Sequence, residues 1–142
     1  MSKQSTTLKL SKVLKSDQNI VEILKENETE INSPTLKDYL SELLKHKNLQ
    51  RKTVIRKAQL DINYANQLFN GRRTNPGRNQ VLALAFAFSL NKEETDRLLR
   101  IAGKGALHPK NRRDAVIIHA LENEKGVDGV NSILDSLKYD VL

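Results

Sequence analysis

The 142-residue sequence predicts an all-α fold, and three observations carry that prediction. Apolar residues recur at helical spacing, most plainly Leu36, Tyr39, Leu40, Leu43 and Leu44, which fall at i, i+3, i+4, i+7 and i+8. No segment sustains the alternation of apolar and polar residues that marks a half-buried strand. Residues suited to opening or closing helices stand at the ends of the apolar segments: Asp61, Asn91 with Glu94, Gly71 and Gly103. A hydrophobic content of 38% with few aromatic residues suits a helical core better than a large β-sandwich. The expected architecture is five helices over 34–103, preceded by a polar, partly helical arm over 1–33 and followed by a two-helix extension over 104–142.

In the arm, Ile20, Val21, Ile23 and Leu24 follow Asp17 and suggest a short amphipathic helix near 18–27; Leu8, Leu10, Val13 and Leu14 make a weaker one. Such an arm either packs loosely on the domain or docks a partner. The sequence SPT at 33–35 marks a boundary, where Thr35 and Asp38 approximate a capping box for the first helix. Lys45, His46 and Lys47 suit its carbonyl end, and Asn48 is a left-handed stop. The second helix spans about 50–58, with Val54, Ile55 and Ala58 inward. Leu60 lies in the turn, and Asp61 caps the third helix, 62–70, which turns Ala65 and Leu68 inward and stops at Gly71. Asn75 and Pro76 read as N-cap and first residue of a fourth helix that is apolar almost all round, from Val81 to Phe88. Asn91 and Glu94 box a fifth, with Leu98, Leu99, Ile101 and Ala102, ending at Gly103. Pro109 introduces a sixth, with Ala115, Val116, Ile117, Ile118, Ala120 and Leu121 as its apolar set and Gly126 as its stop. A last amphipathic segment holds Val127, Val130, Ile133, Leu134 and Leu137.

Charge narrows the function. The formal net charge is +7, yet 1–33 and 104–142 are each neutral. Within 45–78 nine basic residues face a single acid, Asp61. An excess this concentrated favours a polyanionic partner. There is no cysteine, so there is no disulfide, thiolate metal site or thiol nucleophile. The three histidines, 46, 108 and 119, lack metal-ligand spacing, and Gly103-Lys104-Gly105 is too sparse for a phosphate loop. His119, within an apolar helix, is expected to be packed or at an interface. Asn111, Arg112, Arg113 and Asp114 read as the polar start of a surface helix or as a salt-bridge cluster. Neither an enzyme, a cofactor nor a bound metal is expected. The longest apolar run, 81–88, is far short of the ~20 residues that span a bilayer, and the first ten residues carry no signal-peptide core, so a soluble cytoplasmic protein is expected.

The second and third helices, with an apolar inside and a basic, amide-rich outside, form the pattern of a helix-turn-helix reader of DNA. The chain resembles the lambda-repressor/Cro-like (XRE-type) helix-turn-helix family of bacteria and phages at Leu49, Val54, Ile55, Ala58, Leu60, Ala65, Leu68, the LFNG of 68–71 and the NP of 75–76. The resemblance covers roughly 35–102, and runs from Leu49 to Gly71 without a gap. It departs from the family at Gln50, where Ser or Thr is common, at Arg51, where Gln is common, and at Gln59, where Gly is common.

The resemblance implies that helix 62–70 enters the major groove and that Ile62, Asn63, Asn66 and Gln67 meet base edges. Amide side chains can bond adenine at N6 and N7, and Ile62 can touch a thymine methyl, so the readout is expected to lean towards A·T pairs. Arg51, Lys52, Asn70, Arg72, Arg73 and Arg78 are the candidate phosphate contacts, with Lys45 a further helper. The expected function is a sequence-specific double-stranded DNA-binding transcriptional regulator, acting as a homodimer through the apolar residues of 115–137. The alternative is a protein-interaction adaptor or antitoxin-like regulator that grips another protein through the helical domain, the arm or the C-terminal helices.

Overall fold

The computed structural model describes residues 34–142, and the expected helices of the arm lie outside them. The described residues are all-helical and contain no strand. The helices are α1 (Leu36–Lys47), α2 (Arg51–Ala58), α3 (Ile62–Asn70), α4 (Arg78–Ala87), α5 (Lys92–Ile101), α6 (Arg112–Glu122) and α7 (Val127–Ser136).

Local chemistry sets most of the boundaries. The Thr35 hydroxyl accepts the Asp38 N–H and opens α1, and Asn48 closes it at φ 55°. Gln50 stands at the N-cap of α2 but its side chain caps nothing. Gln59 ends α2 in the left-handed region at φ 59°, doing with a side chain what glycine does without one. Asp61 accepts the Tyr64 N–H at the start of α3, and Gly71 ends that helix at φ 85°. At α5 the capping box is complete: Asn91 accepts from the Glu94 N–H, and Glu94 accepts from the Asn91 N–H.

Three boundaries differ from expectation. The N-cap of α4 is Gly77, so Pro76 is a buried plug before the helix rather than its first residue. Asn75 instead accepts a hydrogen bond from Lys104 Nζ at 2.9 Å. Helix α6 begins at Arg112, capped by Asn111, whose side chain accepts the Asp114 N–H; Pro109 lies upstream in a turn. Gly126 does not stop α6, which ends at Glu122; it is the N-cap of α7.

Helix α4 is the centre. Val81 to Phe88 are all buried, and α2, α5 and α7 pack around it, with α1 lying against α3 and α5. A helix apolar on every face is stable only when covered on every face, which is why this one is central. The extension supplies part of that cover. Ile117, Ala120 and Leu121 of α6, with Val127, Val130 and Leu134 of α7, are buried in the same cluster as Leu40, Val54 and Leu82, and residues 35–142 pack as one unit. His119 is exposed on the outer face of α6, not packed, and Leu137 is 53% exposed.

A polar junction fastens the extension. Asp114 is buried and takes two hydrogen bonds from Arg78, each of 3.0 Å, and one from the His108 N–H at 3.0 Å. Arg78 also donates to the carbonyl oxygens of Gly105 and Ala106. Arg113 donates to the Asp140 carbonyl and to Asn79, and Asp96 accepts the Leu107 N–H. Both expectations for 111–114 hold: Asn111 and Arg112 are the exposed start of α6, and Asp114 is a buried salt-bridge partner of Arg78. Burial pushes its carboxyl up, but the Arg78 hydrogen bonds, the His108 N–H and the charges of Arg78 and Arg113 outweigh it. The group titrates below its ordinary value.

Candidate nucleic-acid interface

Helix α3 is fixed from within by Ala65, Leu68 and Phe69, all buried. Phe69, which stands four residues after Ala65 on the same helical face, was not among the expected inward positions. Its ring lies 6.4 Å from that of Phe88, joining α3 to the central helix. Three inward residues so spaced turn 62, 63, 66 and 67 away from the core.

Ile62 is 65% exposed at the first position of α3, and Asn63 beside it is exposed. Ile62 is one of three exposed large apolar side chains among the described residues, and it stands at the start of a helix within a basic surround. Asn66 and Gln67 are half-buried, because each leans on an arginine. Arg51 reaches from the start of α2 to place an Nη 3.4 Å from Asn66 Oδ1, with its guanidinium 5.2 Å above the Phe69 ring. Arg73 donates from Nε to Gln67 Oε1 at 2.6 Å, its own N–H donates to the Gln67 carbonyl at 3.0 Å, and its guanidinium lies 5.2 Å from the Tyr64 ring. Asn70 accepts the Arg72 N–H at 3.0 Å, which shapes the turn out of α3. The loop after α3 is thus stapled back along the helix.

The structure brings together Arg51, Asn66, Gln67 and Arg73, with Lys52, Asn70 and Arg72 exposed around them. Arg51, Lys52, Arg56, Ile55, Leu60 and Ile62 line a groove of about 590 Å³ between α2 and α3, with Asn66 at its edge. The lone acid of 45–78, Asp61, accepts the Tyr64 N–H as the N-cap of α3. Arg78 does not join this set. Its guanidinium is turned into the junction with Asp114, behind the loop, and all three of its nitrogens donate to protein acceptors there.

Some of what borders the surface was absent from the sequence reading. Gln59 donates to Asp128 at 2.6 Å, across a separation of 69 residues. Glu124 and Asp128 of the extension share a groove of about 490 Å³ with Arg56 and Lys57. Two carboxylates therefore stand beside the C-terminal end of α2 and mark where the basic surface stops. Tyr64 is the platform on which Arg73 rests. Among the described residues no cluster of His, Asp or Glu is placed to hold a metal, and no helix is long and apolar enough to cross a membrane. Comparison of the chain with protein-family models, with curated proteins and with solved structures gives no match.

Proposed function

We propose that this protein is a sequence-specific double-stranded DNA-binding regulator, of the lambda-repressor/Cro-like helix-turn-helix kind, that lays α3 in the major groove. The observation that carries the reading is the pairing of an exposed Ile62–Asn63 edge on α3 with Arg51, Lys52, Arg72 and Arg73 around it, in a stretch with a single acid. Phosphates would meet the arginines and Lys52, while base edges would meet Ile62, Asn63, Asn66 and Gln67. Arg78 has no part in it, because its charge is balanced inside the fold.

A two-fold operator and a homodimer belong to the same reading, since one such helix makes few base contacts and a second half-site multiplies the discrimination. Of the apolar residues of 115–137, six are used up in the chain's own core. Leu137 and, beyond it, Val141 are the exposed large ones that a partner protomer could cover.

The test is duplex binding as a function of salt. The logarithm of affinity should fall linearly with the logarithm of salt, and Arg72→Ala with Arg73→Ala should flatten the slope by about one unit per lost phosphate contact. Asn63→Ala should relax sequence preference and leave nonspecific binding nearly unchanged. The groove floored by Ile55, Leu60 and Ile62 favours a second reading, in which an acidic protein partner seats an apolar side chain there. Duplex binding that is absent or indifferent to salt would support that adaptor role instead.

A further inference from the structure

An amide side chain can read a base in two ways. Free to rotate, it presents its oxygen and its NH2 side by side and matches adenine, which offers a donor at N6 beside an acceptor at N7. With its oxygen turned towards a donor elsewhere in the chain, it is held in one orientation and meets the base with its NH2, although the oxygen keeps a second lone pair. Guanidinium groups only donate, so an amide bonded to arginine must turn its oxygen towards the arginine and its NH2 away. That orientation is dictated by the chemistry of the pair.

We propose, on the DNA-reading function above, that Arg73 is a positioning residue that turns the Gln67 oxygen aside, leaves its NH2 to meet the base, and so favours guanine at the base pair Gln67 faces. The 2.6 Å bond from Arg73 Nε holds Gln67 Oε1. The backbone bond from Arg73 N–H to the Gln67 carbonyl and the stacking on Tyr64 hold Arg73 in turn, so three contacts define one geometry. Because the bond uses Nε, both terminal nitrogens of Arg73 stay available for a phosphate, and the arginine can grip the backbone and orient the amide together. In the major groove guanine offers two acceptors, O6 and N7; thymine offers one beside a methyl, adenine one beside a donor, and cytosine a donor. An NH2 turned towards the base matches guanine best. Asn63 makes no side-chain hydrogen bond with the described residues and keeps its amide free for adenine. A half-site with both A·T and G·C positions follows, in place of a uniformly A·T-leaning one.

The experiment is selection of bound duplexes from a random pool with the full chain, followed by competition between duplexes that differ at one base pair. Gln67→Met should lose preference at a single position of the half-site, which assigns that position to Gln67. There the natural chain should favour guanine over adenine by roughly tenfold. Arg73→Lys keeps a positive charge but loses the planar Nε–H and the stacking on Tyr64 that fix the amide, so the guanine-to-adenine ratio should fall towards one, whatever the change in overall affinity. Gln67→Glu, an acceptor alone, should shift the preference to cytosine. Adenine selected at the Gln67 position, or a ratio unmoved by Arg73→Lys, overturns the proposal while leaving DNA reading intact. No salt-dependent duplex binding by the natural chain overturns both.

Discussion

At the scale of single residues, two positions carry backbone or charge that the fold cannot easily replace. Gly71 has φ 85°, and a Cβ built there would lie 3.0 Å from the Lys37 side chain. Gly71→Val should cost about 1–3 kcal/mol from a strained left-handed, β-branched residue, and lower the melting temperature by several degrees. An unchanged melt would mean the chain leaves α3 by another route. Asp114 is the second. Its carboxyl titrates below the ordinary aspartate value, so its stabilisation is fully present above about pH 4 and is lost as pH falls through the folded value. Asp114→Asn should cost about 2 kcal/mol at pH 7, less than a fully buried pair because the Arg78 side chain remains 29% exposed. Denaturant titrations at pH 7 and pH 3 should show the gap between the natural chain and the variant narrowing in acid. A gap of equal size at both values would mean that Asp114 does not act through its charge.

At the scale of elements, each helix is as secure as its ends and its covered face. Helix α2 is short and poorly capped: eight residues long, with no acid in its first turn and no cap from its N-cap side chain. Gln50→Ser should supply the missing acceptor and stabilise the chain by about 0.5–1 kcal/mol, seen as a raised urea midpoint with an unchanged slope. No gain would mean that the first-turn N–H groups of α2 already have partners, such as water. The ending of α2 is tied instead to the extension, through the Gln59–Asp128 bond. In this chain the turn between α2 and α3 is held by a contact from outside those two helices.

At the scale of the molecule, the extension is part of the core. Ending the chain at Gly103 would remove Leu107, Ile117, Leu121, Val127, Val130 and Leu134 from the buried cluster and leave Arg78 without Asp114. Each large aliphatic side chain contributes about 1.5–3 kcal/mol by burial, so the loss rivals the ~5–15 kcal/mol stability of a whole domain. The shortened chain should therefore lose its cooperative thermal transition in circular dichroism. A sharp transition near that of the full chain would show that residues 35–103 stand alone. Dimerisation is accordingly better probed by substitutions on the exposed Leu137 and Val141 than by truncation.

What could be read from sequence was what is local. Helix period, the capping residues at 35, 61 and 91, the stops at 48, 71 and 103, and the burial of 81–88 follow from neighbours within a few positions, where backbone preference and side-chain spacing decide. The outward turn of 62, 63, 66 and 67 was legible for the same reason, as was the run of positive charge over 45–78. Three features were decided only in three dimensions. Arg78 and Asp114 are 36 residues apart, and nothing in the spacing tells a phosphate-seeking arginine from one that will meet a buried carboxylate. Glu124 and Asp128 border the basic surface because α7 packs on α4, although their own segment is neutral in sequence. The chemistry offered by Gln67 depends on which of its atoms Arg73 engages, and that is set where the loop folds back along α3. The sequence determined which residues the helix presents; the tertiary contacts determined how their hydrogen-bonding groups are turned, because a side chain bonded elsewhere in the chain is held in the orientation that bond requires.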